Sequence, residues 1–533
     1  MKRIALVSLA TVAGLVSSLA PASATPTAVQ ENVRHVLNVP GTTGGHLAIE
    51  GDRLYMGNYG LGFSIYDIRN PSAPVQVGAY RPQGARADAT PDAFDYEGRN
   101  IAVLGGDRTG ATSMTEFVDV TDPAAPTVLH TITSAQSGSA HNVDIVDERM
   151  LYLPSGGGFR IFDINPVVQT PPAAPTLITN ASLQTLWQNS PFREGRTLGP
   201  GFTHIHDISV YTDLSVLLPE EEWVDQDGDE IPDPTFGPKD IALVAEGGDY
   251  VGGNNRGTVY VVDITDPRVP VVRNRFLHAT GEGHHPWRYF HEVQLLDGDP
   301  HIGVVTDEDL HNGCTAGGMM SLRFSDDYTE ATELDEWFIG EAPAAVCSAH
   351  VFSSEGNFVF MGSYNAGLQI IDFSDPTELK RAGQYIIEGA NSWAALYHEG
   401  VIYTGDFGAR GLDVFEFIPN PDGKAFLKAG HPGTTVAGGV SELSSGCDAE
   451  SPTNEIDGFL LPIPEELRTS DHSIRLWGSA EVAPELTVWW YDSSCTLMST
   501  TPGASGSPIM EGANYAWINM FVGTPQWVYA KFN

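Results

Sequence analysis

One phrase recurs along this chain and limits the fold more than any other feature. A short apolar strand ends in Asp, a turn follows, and then come Asp-Pro or Asn-Pro and often a further Pro. It reads Ile65-Tyr66-Asp67-Ile68-Arg69-Asn70-Pro71 with Pro74, and Val118-Asp119-Val120-Thr121-Asp122-Pro123 with Pro126. It returns as Val262-Asp263-Ile264-Thr265-Asp266-Pro267 with Pro270, and as Ile371-Asp372-Phe373-Ser374-Asp375-Pro376. Phe162-Asp163-Ile164-Asn165-Pro166 is a variant. Alternate residues of such a strand face opposite sides, and the Pro cannot continue the ladder. A chain that repeats this unit must stack copies of it, because no single copy buries its own apolar face.

A second phrase precedes the first: a His or Trp, an alternating strand, a turn, and a strand rich in Tyr, Val and Met. His46-Leu47-Ala48-Ile49 leads to Leu54-Tyr55-Met56-Gly57, and His141-Asn142-Val143-Asp144 to Leu151-Tyr152-Leu153. His350-Val351-Phe352 leads to Phe358-Val359-Phe360-Met361-Gly362, and Trp393-Ala394-Ala395-Leu396 to Val401-Ile402-Tyr403. Together the phrases give units of roughly 40–50 residues, the size of a propeller blade. Seven begin near His46, Asp92, His141, His206, His291, His350 and Trp393; six or eight are the neighbouring counts. Arg34–Val39 stands ahead of the first unit as an orphan outer strand that would close the ring on the last blade. Unit four carries a long insertion at about 219–238, and Gly281–Tyr289 is another long connection.

The residues "SIYDIRNPSAP", "EFVDVTDPAAP", "VYVVDITDPRVP" and "LQIIDFSDP" resemble the signature of the LVIVD-repeat family of secreted β-propellers. Asn391–Phe417, "NSWAALYHEGVIYTGDFGARGLDVFEF", is similar to the closing blade of that family. The resemblance spans about Val33–Phe417. It implies a propeller and no assured reaction, since propellers host many functions.

The repeat stops after about Gly430. A Gly/Ser stretch from Gly438 to Gly446 leads into alternating aromatic strands at Ile474–Trp477, Leu486–Asp492, Tyr515–Met520 and Trp527–Phe532. These predict a small β-sandwich over 437–533, similar to jelly-roll modules appended to secreted bacterial enzymes. It reads either as a stability domain or as a carbohydrate- or surface-binding one. The expected class is therefore all-β: a seven-bladed propeller over 31–430, then the sandwich.

Residues 1–24 read as a signal peptide. Lys2 and Arg3 precede an apolar run from Ile4 to Leu19, and Ala22-Ser23-Ala24 is an A-x-A cleavage site. The run is short for a membrane anchor, the alternative reading. Cleavage takes the net charge from −40 to about −42, with 26 basic against 68 acidic residues. That excess excludes a nucleic-acid role, which needs clustered Lys and Arg. A secreted monomer with a small-molecule, glycan or protein ligand is expected, with no membrane span. Cys314, Cys347, Cys447 and Cys495 suit an oxidising compartment. Of the three possible pairings, the two local ones (Cys314 with Cys347, Cys447 with Cys495) keep each bridge inside one region. No Walker-type phosphate loop or G-x-S-x-G elbow is present.

Three constellations carry chemistry. Asp225, Asp227, Asp229, the Ile231 carbonyl and Asp233 sit around Gly228 in the spacing of a calcium loop, since hard Ca²⁺ takes six to eight oxygen ligands. It resembles thrombospondin-type and dockerin-like loops; an acidic solvated loop is the alternative. The second is the repeated His: His46, His141, His206, His291 and His350, with Trp393 in the last unit. Inner strands line a propeller's channel, so these side chains meet at one mouth. Neutral imidazole is a common ligand for transition metals such as Zn or Cu, and His204, Asp207, Glu292, Asp307, Glu308, Asp309 and His311 lie close in sequence. A subset of His206, His291 and His350 with Glu292 or Asp309 suits one ion; equally, the His would serve only to bond backbone carbonyls and plug the channel. The third, His284-His285-Pro286-Trp287, suits a surface or lid.

The function read from these features is a secreted binding scaffold stabilised by calcium, holding a ligand or surface partner. The alternative is a metal-dependent hydrolase or oxidoreductase in the His-lined funnel. Asp227→Ala is expected to lower the melting temperature in calcium and to leave it unchanged in chelator. Equal loss in both, measured by calorimetry, would count against a calcium loop.

Overall fold

The computed structural model describes residues 28–418, except 42, 83–88, 107–113, 134–135, 137–140, 194–195, 197–204, 225–231, 248–256, 279–288, 310–316, 341–346, 388 and 409. Beyond 418 it describes strands and turns within 426–532. Seven antiparallel sheets follow one another along the chain as the blades of a propeller. Blade 1 runs from Gly44–Glu50 to Val75–Tyr80, blade 2 from Thr90–Tyr96 to Thr127–Ile132, and blade 3 from Asp144–Val146 to Thr176–Ser182. Blade 4 runs from Ile205–Leu217 to Val271–Leu277, and blade 5 from Phe290–Leu296 to Ala331–Trp337. Blade 6 runs from Phe352–Glu355 to Lys380–Ile387, and blade 7 from Ser392–His398 to Gly411–Phe417. The count and the starting points match the seven units of the sequence.

The core lies between blades, not within them. Each of seven apolar clusters joins two neighbours: Tyr55, Phe63 and Ile65 of blade 1 pack on Ala102, Leu104 and Val118 of blade 2. Leu54, Met56 and Tyr66 on the other face of blade 1 pack on Tyr403, Leu412 and Val414 of blade 7. Second strands, buried on both faces, read as unbroken apolar runs, such as Ile101-Ala102-Val103-Leu104 of Arg99–Gly105, with all four inaccessible to solvent. The Gly that ends the second phrase lets the next blade approach. A Cβ on Gly405 would stand 2.3 Å from the Gly45 carbonyl, and one on Gly362 2.7 Å from the Ala394 nitrogen.

The Asp-Pro turns are built by their own carboxylates. Asp67, Asp119, Asp263 and Asp372 each accept a hydrogen bond of 2.8–3.1 Å from the backbone N–H two residues on. The Pro carbonyls then face the preceding blade: Ser321 donates to Pro376, Thr179 to Pro267 and Tyr403 to Pro71. The variant phrase at Pro166 behaves differently. Pro166 stands in the first turn of a short helix (α1, Asn165–Val168), its fixed φ suiting that place. A second helix (α2, Leu183–Asn189) is capped by Ser182 and buries Trp187 between blades 3 and 4. Neither helix is legible in the strand rhythm.

The orphan strand closes the ring. Val33–Val39 pairs with Gly411–Phe417, from Val33 opposite Phe417 to Val39 opposite Leu412. Arg34 pairs with Glu416, a carboxylate with no exposed side-chain surface. His35 Nε2 lies 2.7 Å from Asp413 Oδ1. Burial alone would raise the Asp413 pKa, but hydrogen bonds from His35 and Arg410 hold it below the usual range. Ala28–Glu31, not anticipated, adds a fifth strand to blade 6.

Near the C-terminus a five-stranded and a three-stranded sheet form. The larger includes Phe426–His431, parallel to Val528–Phe532, so strands on both sides of residue 437 share one sheet. Among the described residues no helix is long and apolar enough to cross a membrane. Arg34→Met should strand Glu416 in the interior and cost about 3 kcal/mol. Adding Glu416→Leu should restore most of that in denaturant unfolding. A loss under about 1 kcal/mol would mean the pair does not hold the closure.

Candidate functional site

The seven inner strands bring the repeated histidines together. Ring centroids lie 4.6 Å apart for His141 and His206, 3.8 Å for His206 and His291, and 4.0 Å for His291 and His350. His350 continues to Trp393 at 4.5 Å and to His46 at 6.0 Å. All six side chains singled out from the repeat thus form one connected group. Blade 2 supplies Thr90 where the other inner strands begin with a ring.

Part of this group stitches blades together. His206 Nδ1 lies 2.9 Å from the His291 carbonyl and His350 Nδ1 2.8 Å from the Trp393 carbonyl. The Thr90 hydroxyl donates to the His141 carbonyl at 2.7 Å. A carbonyl only accepts, so Nδ1 carries the proton in both imidazoles and the Nε2 lone pair is presented elsewhere. The expectation that His bonds backbone carbonyls therefore describes one nitrogen of each ring, not the whole side chain. His291 differs: it is 1% exposed, and neither nitrogen has a hydrogen-bond partner.

Burial pushes the imidazole pKa values down. His350 falls to about 3, mainly through burial and despite its bond to Trp393. His46 and His291 fall well below the ordinary value, through burial first and then through the neighbouring imidazoles. These three rings are uncharged at neutral pH.

Past the imidazoles the channel holds a second layer. A cavity of about 350 Å³ is walled by residues including His46, Asp92, Asn142, Asp144, Asp207, Tyr211 and Glu292, with no Lys or Arg among the described residues of its wall. The four acids come from the inner strands of blades 2, 3, 4 and 5. Three of them reach the next blade: Asp92 accepts from Ile145 N–H, Asp144 from Val210 N–H and Glu292 from Phe352 N–H, at 2.8–3.3 Å. Burial raises all four, Asp92 and Asp207 to about 6. Asp144 and Glu292 stand well above the carboxylate range, burial being reinforced by Asp92 and Asp207 respectively. Asn142 Oδ1 is buried with no donor.

Glu292, expected among the metal ligands, thus faces the cavity. The acid that joins the imidazoles is Glu308, which accepts the Tyr364 hydroxyl and lies 3.8 Å from His350 Nε2. Asp309 is buried, its N–H bonded to the Ser348 hydroxyl. Asp92, Asp144 and Tyr211 were not expected as a layer, although each lies in an inner strand, Thr90–Tyr96, Asp144–Val146 and Ile205–Leu217 respectively. Asp225, Asp227, Asp229 and Ile231 lie outside the described residues, as do His204, His284, His285 and His311. Asp233 is described and forms an antiparallel bridge with Val224. Cys347 is buried, and no cysteine among the described residues is a free thiol; Cys314, Cys447 and Cys495 lie outside them.

A family profile described as the LVIVD repeat matches residues 43–81 and 349–386, which are blades 1 and 6. The chain is a seven-bladed β-propeller that carries two LVIVD repeats. Both LVIVD repeats carry a channel imidazole, His46 in one and His350 in the other. Among solved structures, the LVIVD propeller is similar to the β-propeller domain of Cps50 (Swd1) from Myceliophteria thermophila. Identity there is 9% over 72% of this chain and 99% of that one, with a TM-score of 0.43. The WD40 β-propeller domain of Doa1 shares 11% identity over 72% and 97%, also with a TM-score of 0.43. No curated protein matches the chain.

Asp92 gives this LVIVD propeller a pH dependence of known sign. Its carboxyl faces the N–H groups of Ala93 and Ile145 and the carboxyls of Glu50 and Asp144. A folded value near 6 against 3.8 means the folded state binds the proton more tightly. The group's contribution is full below the unfolded value and is lost as pH rises to about 6. The melting temperature of Asp92→Asn relative to the native chain should therefore climb from about pH 4 to pH 7. A pH-independent difference would refute the assignment.

Proposed function

We propose that this propeller is a secreted binding scaffold that holds a small cationic ligand in its central channel. The observation that carries this is the cavity itself. Its volume is within the range of small-molecule sites. Four carboxyls from consecutive blades, Asp207 and Glu292 buried and Asp92 and Asp144 half-buried, and the unpartnered Asn142 oxygen offer acceptors for hydrogen-bond donors, and no Lys or Arg stands among the described lining residues to supply them. An ammonium group would supply such donors and draw the carboxyls toward ionisation, whereas an anion would oppose it.

Two features support export and rigidity. The leader-like segment 1–24 fits secretion, and the expected Cys314–Cys347 bridge fits an oxidising compartment. The Val224–Asp233 bridge brings together the two ends of the acidic segment 225–231, the arrangement in which Ca²⁺ would tie down the blade 4 insertion. The enzymatic alternative is not favoured by the fold or by the family match.

Calorimetric titration with a panel of small alkylamines and alkyldiamines, against dicarboxylates of equal length, tests the reading. The amines should bind and the dicarboxylates should not. Asp144→Asn keeps an acceptor for Val210 N–H and should weaken amine binding about tenfold or more, about 1.4 kcal/mol. Binding of both classes alike, or no effect of Asp144→Asn, would sink it.

A further inference from the structure

Where the rings crowd closest, one arrangement exceeds what stitching requires. One potential ligand atom from each of His206, His291 and Glu308 lies within 4.8 Å of the other two. The three residues are 5%, 1% and 8% exposed. His206 is oriented by its Nδ1 bond to the His291 carbonyl, and Glu308 by the Tyr364 hydroxyl. His291, with two unpartnered nitrogens, is the anomaly. A buried polar group left unsatisfied costs on the order of 1–3 kcal/mol. A cation bound at one nitrogen would remove part of that cost.

We propose that His206, His291 and Glu308 bind a divalent ion of the zinc type at the mouth of the channel. Two imidazoles and a carboxylate are a donor set that zinc accepts with a fourth position open. Tetrahedral bonds of about 2.0–2.1 Å place donors about 3.4 Å apart, so small side-chain rotations close the triangle. The His291 carbonyl and the Tyr364 hydroxyl are the outer partners that such ligands need to hold their orientation. Hard Ca²⁺, which prefers an all-oxygen shell, is a poor match. The proposal goes beyond the cavity reading, because none of the three residues walls the cavity, and it stands whether or not an amine binds there.

Among the described residues the other grouping of this kind, His278 with Glu333 and Glu336, joins the outer edges of blades 4 and 5. His278 Nε2 lies 3.0 Å from Glu336, an ordinary ion-pair geometry, and it serves as the control. The full-length chain, stripped with chelator and returned to excess calcium, should take up one equivalent of Zn²⁺ by calorimetry and elemental analysis. Co²⁺ in its place should give the visible absorption of a tetrahedral nitrogen–oxygen site. Glu308→Gln keeps an acceptor for Tyr364 and should lower zinc affinity at least about tenfold, as should His206→Gln, with the metal-free melting temperature little changed. His278→Gln should leave zinc affinity unchanged. The proposal is overturned if Glu308→Gln binds zinc as tightly as the native chain, if His278→Gln abolishes binding, or if Co²⁺ shows only an octahedral spectrum. Should one channel variant fail to fold, the other and the Co²⁺ spectrum decide.

Discussion

Closure of the ring is the constraint on which everything else depends. Every apolar cluster among the described residues of the propeller is shared by two blades, so none of them is the core of a single blade. Seven interfaces exist only if the seventh meets the first. The strand Val33–Val39 completes blade 7, and the packing of Leu54 and Met56 against Tyr403 and Leu412 seals the seam. Main-chain pairing sets the register there, and the Arg34–Glu416 and His35–Asp413 contacts fix it, because a one-residue slip would turn both pairs to the wrong face.

Closure also creates the site. Seven inner strands meeting around an axis force their first side chains into a small volume where water is scarce. The chain meets this by giving many of these polar groups a partner on the neighbouring blade. Imidazole Nδ1 groups bond carbonyls in one layer, and carboxyls accept amides in the next. This arrangement makes charge expensive, which is why His350 resists protonation and Asp92 resists ionisation. The groups left over, among them both nitrogens of His291, His46 Nε2, Trp393 Nε1 and Asn142 Oδ1, mark where the stitching ends and where binding chemistry becomes available.

Much of this was legible in the sequence. The recurring Asp-Pro phrase revealed the blades because each turn is made locally: Asp67 or Asp372 bonds an amide two residues away and needs nothing distant. The starting His of five units was visible for the same reason of repetition, and the closing strand showed itself as a phrase without a blade. What sequence could not resolve depends on neighbours across the ring. Glu308 sits at the end of a second strand, where nothing local separates it from Asp307 or Asp309. Glu292 follows His291 directly, and strand alternation sends the two to different surroundings. The helix at Asn165–Val168 reuses the Asp-Pro phrase for another purpose. The strand Ala28–Glu31 is too short to carry a pattern.

The pairing of Arg34 with Glu416 spans 382 residues. The strand Val33–Val39 thus waits for a partner that is synthesised much later than the strand itself. At ordinary elongation rates of about 5–20 residues per second, the wait is on the order of 20–80 s. During it, the open ends of the partial ring expose unpaired strand edges, the surfaces on which misassembly begins. A product broken off before Phe417 would keep that edge permanently. The closure therefore acts as a length gauge, distinguishing a finished propeller from an unfinished one by whether any edge is left to grip.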